Sequence, residues 1–243
     1  MYPKSDSPTT CHDSLKLFLA IAANESFRIR ALDVTSAFLQ GTPLKREVYM
    51  EPPEEAKKEG YVWKLKKGCY GLYDASRQWF LAVKKELEDL GMKPLSGDEA
   101  VFTLSKDNKM IGMCALHVDD FLTGGTTEFE QLLDKQLQGR FTFGKIELNK
   151  FKFTGLNIQQ TEGGIFVDQI DYIQSLKPIK TDRVASKDEK LNPKEFKSYR
   201  GLTGQLSWSA ENSRTDLCFD VRELATRNKF ATFEDINTAN KVF

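Results

Sequence analysis

The chain has 243 residues, 35 Lys and Arg against 35 Asp and Glu, and is 40% hydrophobic and 29% charged, the balance of a globular protein of one or two domains. A formal net charge of zero runs against the excess of cations that marks a strongly basic nucleic-acid binder. Four dispersed cysteines and two histidines exclude a disulfide framework, a zinc knuckle and a histidine-rich metal centre, so any metal chemistry falls to carboxylates.

The neutrality is a cancellation of blocks. Residues 57–85 carry eight bases against two acids, a local +6; residues 86–134 carry three bases against eleven acids, −8; residues 135–200 return to +5. Acids brought together by folding repel one another, so the central block needs cations or a special role. No apolar stretch is long enough to span a bilayer, and the start, Met1-Tyr2-Pro3-Lys4, lacks the apolar core of a signal peptide, so neither secretion nor membrane insertion is expected. The start reads as internal to a longer protein.

In chain order, Leu15, Phe18, Leu19 and Ala22 at helical spacing predict a helix over residues 11–24, with Thr10 or Asp13 as N-cap. Phe27, Ile29 and Ala31 alternate with Arg28, Arg30 and Leu32, predicting a strand that ends at Asp33. Residues 37–41 lead into a turn at Thr42-Pro43, residues 48–50 form a short strand stopped by Glu51-Pro52-Pro53, and residues 61–65 alternate again before Gly68. The clearest helix, 77–90, carries Trp79, Phe80, Val83, Leu87 and Leu90 on one side and is closed by Gly91; the spacing of this aromatic stripe points to core. Residues 101–104 and 110–118 read as strands, the second running into Asp119-Asp120 and then residues 121–125, which places the acid pair at a hairpin tip. Residues 127–137 form an amphipathic helix, and 151–160 with 164–168 a hairpin around Glu162-Gly163. After a polar linker at about 180–193 the pattern is helical to Phe243, where it stops uncapped. The fold class is therefore α+β, a mixed region followed by an all-helical one.

Asp33 at a strand end and Asp119-Asp120 between Val118 and Phe121 are the acids with chemical promise. Two adjacent carboxylates in an apolar setting are costly unless a cation neutralises them. Mg²⁺ suits them, and two ions held by converging carboxylates are the apparatus of phosphoryl transfer. An Asp-Asp pair taken alone is more often an ordinary acidic turn.

The surrounding motifs shift that balance. Leu32-Asp33-Val34-Thr35-Ser36-Ala37-Phe38-Leu39-Gln40-Gly41, then Val48-Tyr49-Met50-Glu51-Pro52-Pro53, then Cys69-Tyr70-Gly71-Leu72 with Ala75, Arg77 and Trp79, then His117-Val118-Asp119-Asp120, resemble in order the reverse transcriptase of copia-type LTR retrotransposons. Phe153-Thr154-Gly155-Leu156-Asn157-Ile158, the run Tyr199 to Trp208 and Arg214-Thr215-Asp216 extend the resemblance over nearly the whole chain.

The resemblance implies an RNA-directed DNA polymerase of right-hand form: palm and partial fingers over residues 1–180, and a helical thumb-like region over 181–243, cut before any RNase H domain. It implies catalytic acids at Asp33, Asp119 and Asp120, which with the Val34 carbonyl hold two Mg²⁺ ions, with Mn²⁺ as substitute. Phe38 matches the residue under the incoming sugar, where an aromatic ring excludes a 2′-hydroxyl. Gly71 and Arg77 fall in the nucleotide-contacting motif, and His117 stands where the family commonly has Tyr near the primer terminus. The +6 and +5 blocks, with Lys64, Lys66 and Lys67, would line a channel for the template-primer backbone.

The expected partners are an RNA or DNA template-primer and deoxynucleotides, with the RNase H and integrase regions of a polyprotein outside this chain, no membrane, and a cytoplasmic, particle-associated setting. Gly71-Leu72-Tyr73-Asp74-Ala75-Ser76-Arg77 departs from the usual Gly-Leu-Lys-Gln-Ala-Pro-Arg, and finger strands expected before residue 10 are absent. The alternative is a domesticated remnant that binds nucleic acid or protein without polymerising. An unrelated carboxylate metallohydrolase explains the acids but not Phe38 or the motif over residues 70–79.

Overall fold

The computed structural model describes residues 5–242. The non-secretory start at residues 1–4 and the last residue of the terminal helical pattern lie outside them. The chain divides into two compact units, residues 1–153 with 159–165, and residues 154–158 with 166–243.

In the first unit, helix His12–Asn24 (α1) buries the anticipated stripe of Leu15, Phe18, Leu19 and Ala22. Its N-cap is neither Thr10 nor Asp13 but Cys11, whose Sγ accepts the Ser14 N–H. Strand Arg28–Val34 (β1) follows, then the short helix Ala37–Gln40 (α2) and a two-stranded ribbon of Tyr49–Met50 (β2) with Trp63–Lys64 (β3). Helix Ala75–Asp89 (α3) starts two residues before the apolar spacing suggests, and Gly91 takes a left-handed φ of 91° just past its end.

Strands Lys93–Leu95 (β4), Asp98–Lys106 (β5), Lys109–His117 (β6) and Asp120–Gly125 (β7), helix Thr127–Gln138 (α4) and strand Phe143–Leu148 (β8) follow. The strands build one antiparallel sheet in the order β4-β5-β6-β7-β1-β8.

Register decides what each face does. Leu116, Phe121 and Leu32 stand opposite one another on β6, β7 and β1. They share a core with Trp79, Phe80, Val83 and Leu87 of α3 and Phe129, Leu133 and Leu137 of α4. Because successive strand residues alternate faces, the next row along, His117, Asp120 and Asp33, projects to the opposite face. The two helices thus brace one side of the sheet and leave the ends of β1, β6 and β7 with their acids on the other. Arg30, buried on the braced side, forks onto Asp134 of α4 through two 2.9 Å bonds, and Arg28 pairs with Glu130.

Strands Lys150–Phe153 (β9), Leu156–Thr161 (β10) and Gly164–Asp168 (β11) follow, and the division between the units passes through them. The single strand expected over 151–160 is interrupted because Thr154 and Gly155 adopt positive φ, 48° and 81°. In the second unit, helices Ile170–Ser175 (α5), Pro193–Asn212 (α6), Cys218–Thr226 (α7) and Phe233–Val242 (α8) enclose a core that includes Tyr199, Leu202, Leu206, Val221, Leu224 and Ile236. Asn192 and Glu195 form a reciprocal capping box at the start of α6. The mixed architecture with antiparallel sheets agrees with the α+β class read from the sequence. No described helix is long and apolar enough to cross a membrane.

Candidate active site

Asp33 on β1 is the direct cross-strand partner of Asp120 on β7, which is in turn the partner of His117 on β6. Directly opposed residues have Cα atoms about 4.5–5.5 Å apart and side chains on the same face. Two carboxylates and an imidazole therefore form a row across three strand ends. Asp119 occupies the connecting turn, and its carbonyl accepts the Val34 N–H at 3.2 Å, tying the turn to β1.

The turn is held in an unusual conformation. Val118 has a φ of 58°, the left-handed region that β-branched residues avoid. Its carbonyl accepts a 2.7 Å hydrogen bond from the Trp79 indole Nε1. The Trp79 ring is itself locked edge-on against Phe141, centroids 4.9 Å apart, and Phe121, 6.5 Å apart.

Electrostatically the row is unsettled. Burial, then the like charges of Asp119 and Asp33, push the Asp120 carboxyl above its ordinary value, with His117 opposing. None of the three acid side chains has a hydrogen-bonding or ion-pairing partner among the described residues. Beside them, β8 contributes Gly144, where a Cβ would lie 2.8 Å from Asp33 Oδ2 and 3.1 Å from Thr35 Oγ1. The β1–β8 register shifts between Leu32 and Val34, at the level of Asp33. Hard carboxylate oxygens without a cationic partner suit Mg²⁺ or Mn²⁺ in donor chemistry. In the side-chain arrangement described, though, no group of three or more His, Cys, Asp or Glu is disposed to hold a metal ion. Two acids stand in register and the third is one residue away in the turn.

The other sequence-derived residues fall in several places. Phe38, on α2, is half-buried against the sheet core, its ring 4.8 Å from that of Tyr70. Gly71 is exposed with a φ of 89°, and nothing lies within 4 Å of the Cβ it lacks. Val34 buries its side chain. Arg77 is already engaged, donating to the Asp6 carboxylate at 2.7 Å and to the Asp6 carbonyl at 2.9 Å. Lys64 is paired with Glu47 and lies over the Tyr49 ring, whereas Lys66 is exposed and Lys67 half-buried. His117 packs edge-on against Phe153, and its Nδ1 is buried without a hydrogen-bond partner.

The block picture of charge needs correction on two counts. In the acidic stretch Glu128, Glu130 and Asp134 are compensated by Lys106, Arg28 and Arg30, and Glu86 by Arg140. In the basic stretch Lys57, Lys84 and Lys85 pair with Glu54, Glu88 and Asp89. Much of the charge in both blocks is thus settled inside the protein, while Asp33, Asp119 and Asp120 at the strand ends are among the acids that enter no ion pair among the described residues. Trp79, placed by its spacing in the core, also serves the turn; the sequence signal was an indole N–H, which needs an acceptor when buried. Gly144 gave no such signal.

Comparison with known proteins identifies the family. The family model described as reverse transcriptase (RNA-dependent DNA polymerase) matches residues 1–193. The chain is 30% identical over 262 aligned residues to the retrovirus-related Pol polyprotein from transposon RE1 of Arabidopsis thaliana. It is 31% identical over 259 residues to that from transposon RE2 of the same plant. Each alignment covers 99% of this chain but spans only 17% of the relative. A transposon Ty5-1 protein of Saccharomyces cerevisiae is 29% identical over 216 residues, 80% of this chain and 68% of that protein. With ordered motifs, a matched family model and relatives along its whole length, the chain belongs to the reverse transcriptase (RNA-dependent DNA polymerase) family, in the form carried by copia-type retrotransposon Pol polyproteins.

Proposed function

We propose that the chain is the polymerase core of a retrotransposon Pol polyprotein, joining deoxynucleotides to a primer 3′-hydroxyl on an RNA or DNA template by phosphoryl transfer. The observation that carries this reading is the cross-strand pairing of Asp33 with Asp120, with Asp119 in the adjoining turn and no protein cation on any of them. In it the six-stranded sheet serves as palm, the β2–β3 ribbon belongs to the fingers, and the helices beyond residue 181 act as a thumb-like region. The RNase H and integrase regions of the polyprotein would complete the apparatus.

Asp33, Asp119, Asp120 and the Val34 carbonyl would hold two Mg²⁺ ions. When bound, such ions activate an attacking hydroxyl and neutralise a leaving pyrophosphate. The chain's own groups do the rest. The paired strand ends fix Asp33 and Asp120 relative to one another, and the proton affinity of Asp120, raised by burial and then by the charges of Asp119 and Asp33, is what a bound cation would offset. The Phe38 ring, backed by Tyr70, presents a flat apolar surface that rejects a 2′-hydroxyl. Gly71 lets the backbone approach a nucleotide closely, and Arg77 exchanges Asp6 for phosphate oxygens.

The test is primer extension by the purified chain on an RNA template with Mg²⁺ and deoxynucleotides, beside Asp119→Asn. Extension by the parent and a fall of roughly a hundredfold in the variant, about 2.7 kcal/mol of transition-state stabilisation, are expected. A folded parent that binds template-primer but extends nothing would leave the domesticated remnant as the better reading.

A further inference from the structure

We propose that Trp79 is a positioning residue for the turn that carries Asp119 and Asp120. Its indole N–H, bonded to the Val118 carbonyl, helps to hold a backbone conformation that a branched Cβ disfavours. The catalytic consequence rests on the polymerase reading above; the geometry does not.

Val118 sits at φ 58° and is 38% exposed, so little packing of its own side chain holds it in a region that its branched Cβ disfavours. The pairing of His117 with Asp120 closes the turn as a two-residue hairpin loop, which itself calls for positive φ at its first position, and two further bonds restrain it. The Val34 N–H donates to the Asp119 carbonyl at 3.2 Å, and the Trp79 N–H donates to the Val118 carbonyl at 2.7 Å. The first is a backbone bond that any sequence would supply. The second depends on the residue type, because phenylalanine fills much of the same space and has no donor.

The indole is well placed for the task. It is 1% exposed, belongs to the core on the braced face of the sheet, and is wedged edge-on between Phe121 and Phe141. A ring so confined presents its N–H in one direction. Trp79 therefore fixes the turn from the braced side, while the Asp33–Asp120–His117 row projects from the other. Without the indole N–H, the hairpin pairing and the Val34 bond alone oppose the tendency of Val118 to leave positive φ, a move that would rotate the peptide to Asp119 and strain the bond from Val34. The Val34 amide proton thus reports on the turn independently of any reaction.

The experiment compares four chains: the parent, Trp79→Phe, Val118→Gly and the double variant. Glycine reaches positive φ without the Cβ penalty, so it removes the reason for the pin. The readouts are hydrogen exchange at the Val34 amide, followed by NMR, and kcat and KM for deoxynucleotide in primer extension.

With Val118 in place, Trp79→Phe is expected to speed Val34 exchange by about tenfold and to lower kcat by about tenfold, the scale of one ordinary hydrogen bond, with KM changed by less than about threefold. In the Val118→Gly background the same substitution should change exchange and kcat by less than about threefold. Equal losses in both backgrounds would mean that Trp79 acts by packing alone, and parental Val34 exchange in Trp79→Phe would mean that the pin carries no weight; either result overturns the proposal. A folded parent with no extension would defeat the polymerase reading, and the exchange cycle would then decide the positioning claim by itself. Should Trp79→Phe fail to fold, benzothienylalanine at position 79 carries the same test, since it keeps the bicyclic ring and replaces the N–H by sulfur.

Discussion

Half-buried at the start of β7, the Asp120 carboxyl is held above the ordinary aspartate value of 3.8 by burial and by the charges of Asp119 and Asp33. A folded state that binds this proton more tightly than the unfolded chain loses stability as pH rises from the ordinary value through the raised one, and the penalty is complete above it. Asp120→Asn should therefore melt higher than the parent at neutral pH in the presence of a chelator. The advantage should shrink as pH falls through the raised value and vanish below about 3.8, as thermal melts across pH would show. A parent already as stable as Asp120→Asn at neutral pH would mean that the crowding carries no cost. Gly144 lends itself to a prediction of split sign. A Cβ there would meet Asp33 Oδ2 at 2.8 Å and so must displace the carboxylate, while glycine inside a strand costs roughly 0.5–1 kcal/mol relative to alanine. Gly144→Ala is expected to leave the melting temperature unchanged or slightly raised and to lower primer extension by at least about tenfold. Loss of stability together with activity would instead mark Gly144 as a fold residue.

The close approach of α4 to the sheet depends on two strand glycines. A Cβ at Gly112 would lie 2.1 Å from the Phe129 ring; one at Gly125 would lie 2.3 Å from that ring, 2.8 Å from the Ile111 carbonyl and 2.9 Å from the Gly112 Cα. Backbone cannot swing aside as a side chain can, so Gly125→Ala should cost about 2–3 kcal/mol in denaturant unfolding. Gly124→Ala, whose nearest contacts would be side-chain atoms of Phe18 and Ile29 at 3.2–3.4 Å, should cost less. These neighbours show what a sequence can and cannot announce. The stripe of α1, the α4 stripe of Phe129, Leu133 and Leu137, the β5–β6 strands and the hairpin at Asp119-Asp120 were legible because each follows from a local period and a local turn, whereas Leu132, which the α4 pattern also places inward, is exposed. Strand β8 was not, since most of its residues are exposed and its pattern has no clean alternation; only its pairing with β1 makes it a strand. Gly124-Gly125 offers no local sign of whether it marks a turn or a slot beneath a helix. In the site, the three acids were legible as types at positions, whereas Trp79 and Gly144 act through contacts between segments far apart in sequence.

Over the whole chain, 35 bases balance 35 acids, so affinity for a nucleic-acid backbone has to come from cations that the protein has not already neutralised. The ion pairs sort them. Lys57, Lys64, Arg77, Lys84 and Lys85 each face an acid, while Lys66 and Lys67 enter none of the ion pairs among the described residues. Each phosphate neutralised by a protein cation releases condensed counterions, which adds roughly 0.9 to the slope of log affinity against log salt on a duplex. Lys66→Gln and Lys67→Gln should each flatten that slope by about 0.9 in template-primer binding measured between 50 and 200 mM salt, conditions of the usual order for such titrations. Lys64→Gln should flatten it by less, because its ammonium already rests on Glu47 and removing it frees an acid while deleting a base. A common slope for all three variants would show that pairing inside the protein does not govern which lysines meet phosphate, and that local density of positive charge, which the sequence displays directly, is sufficient.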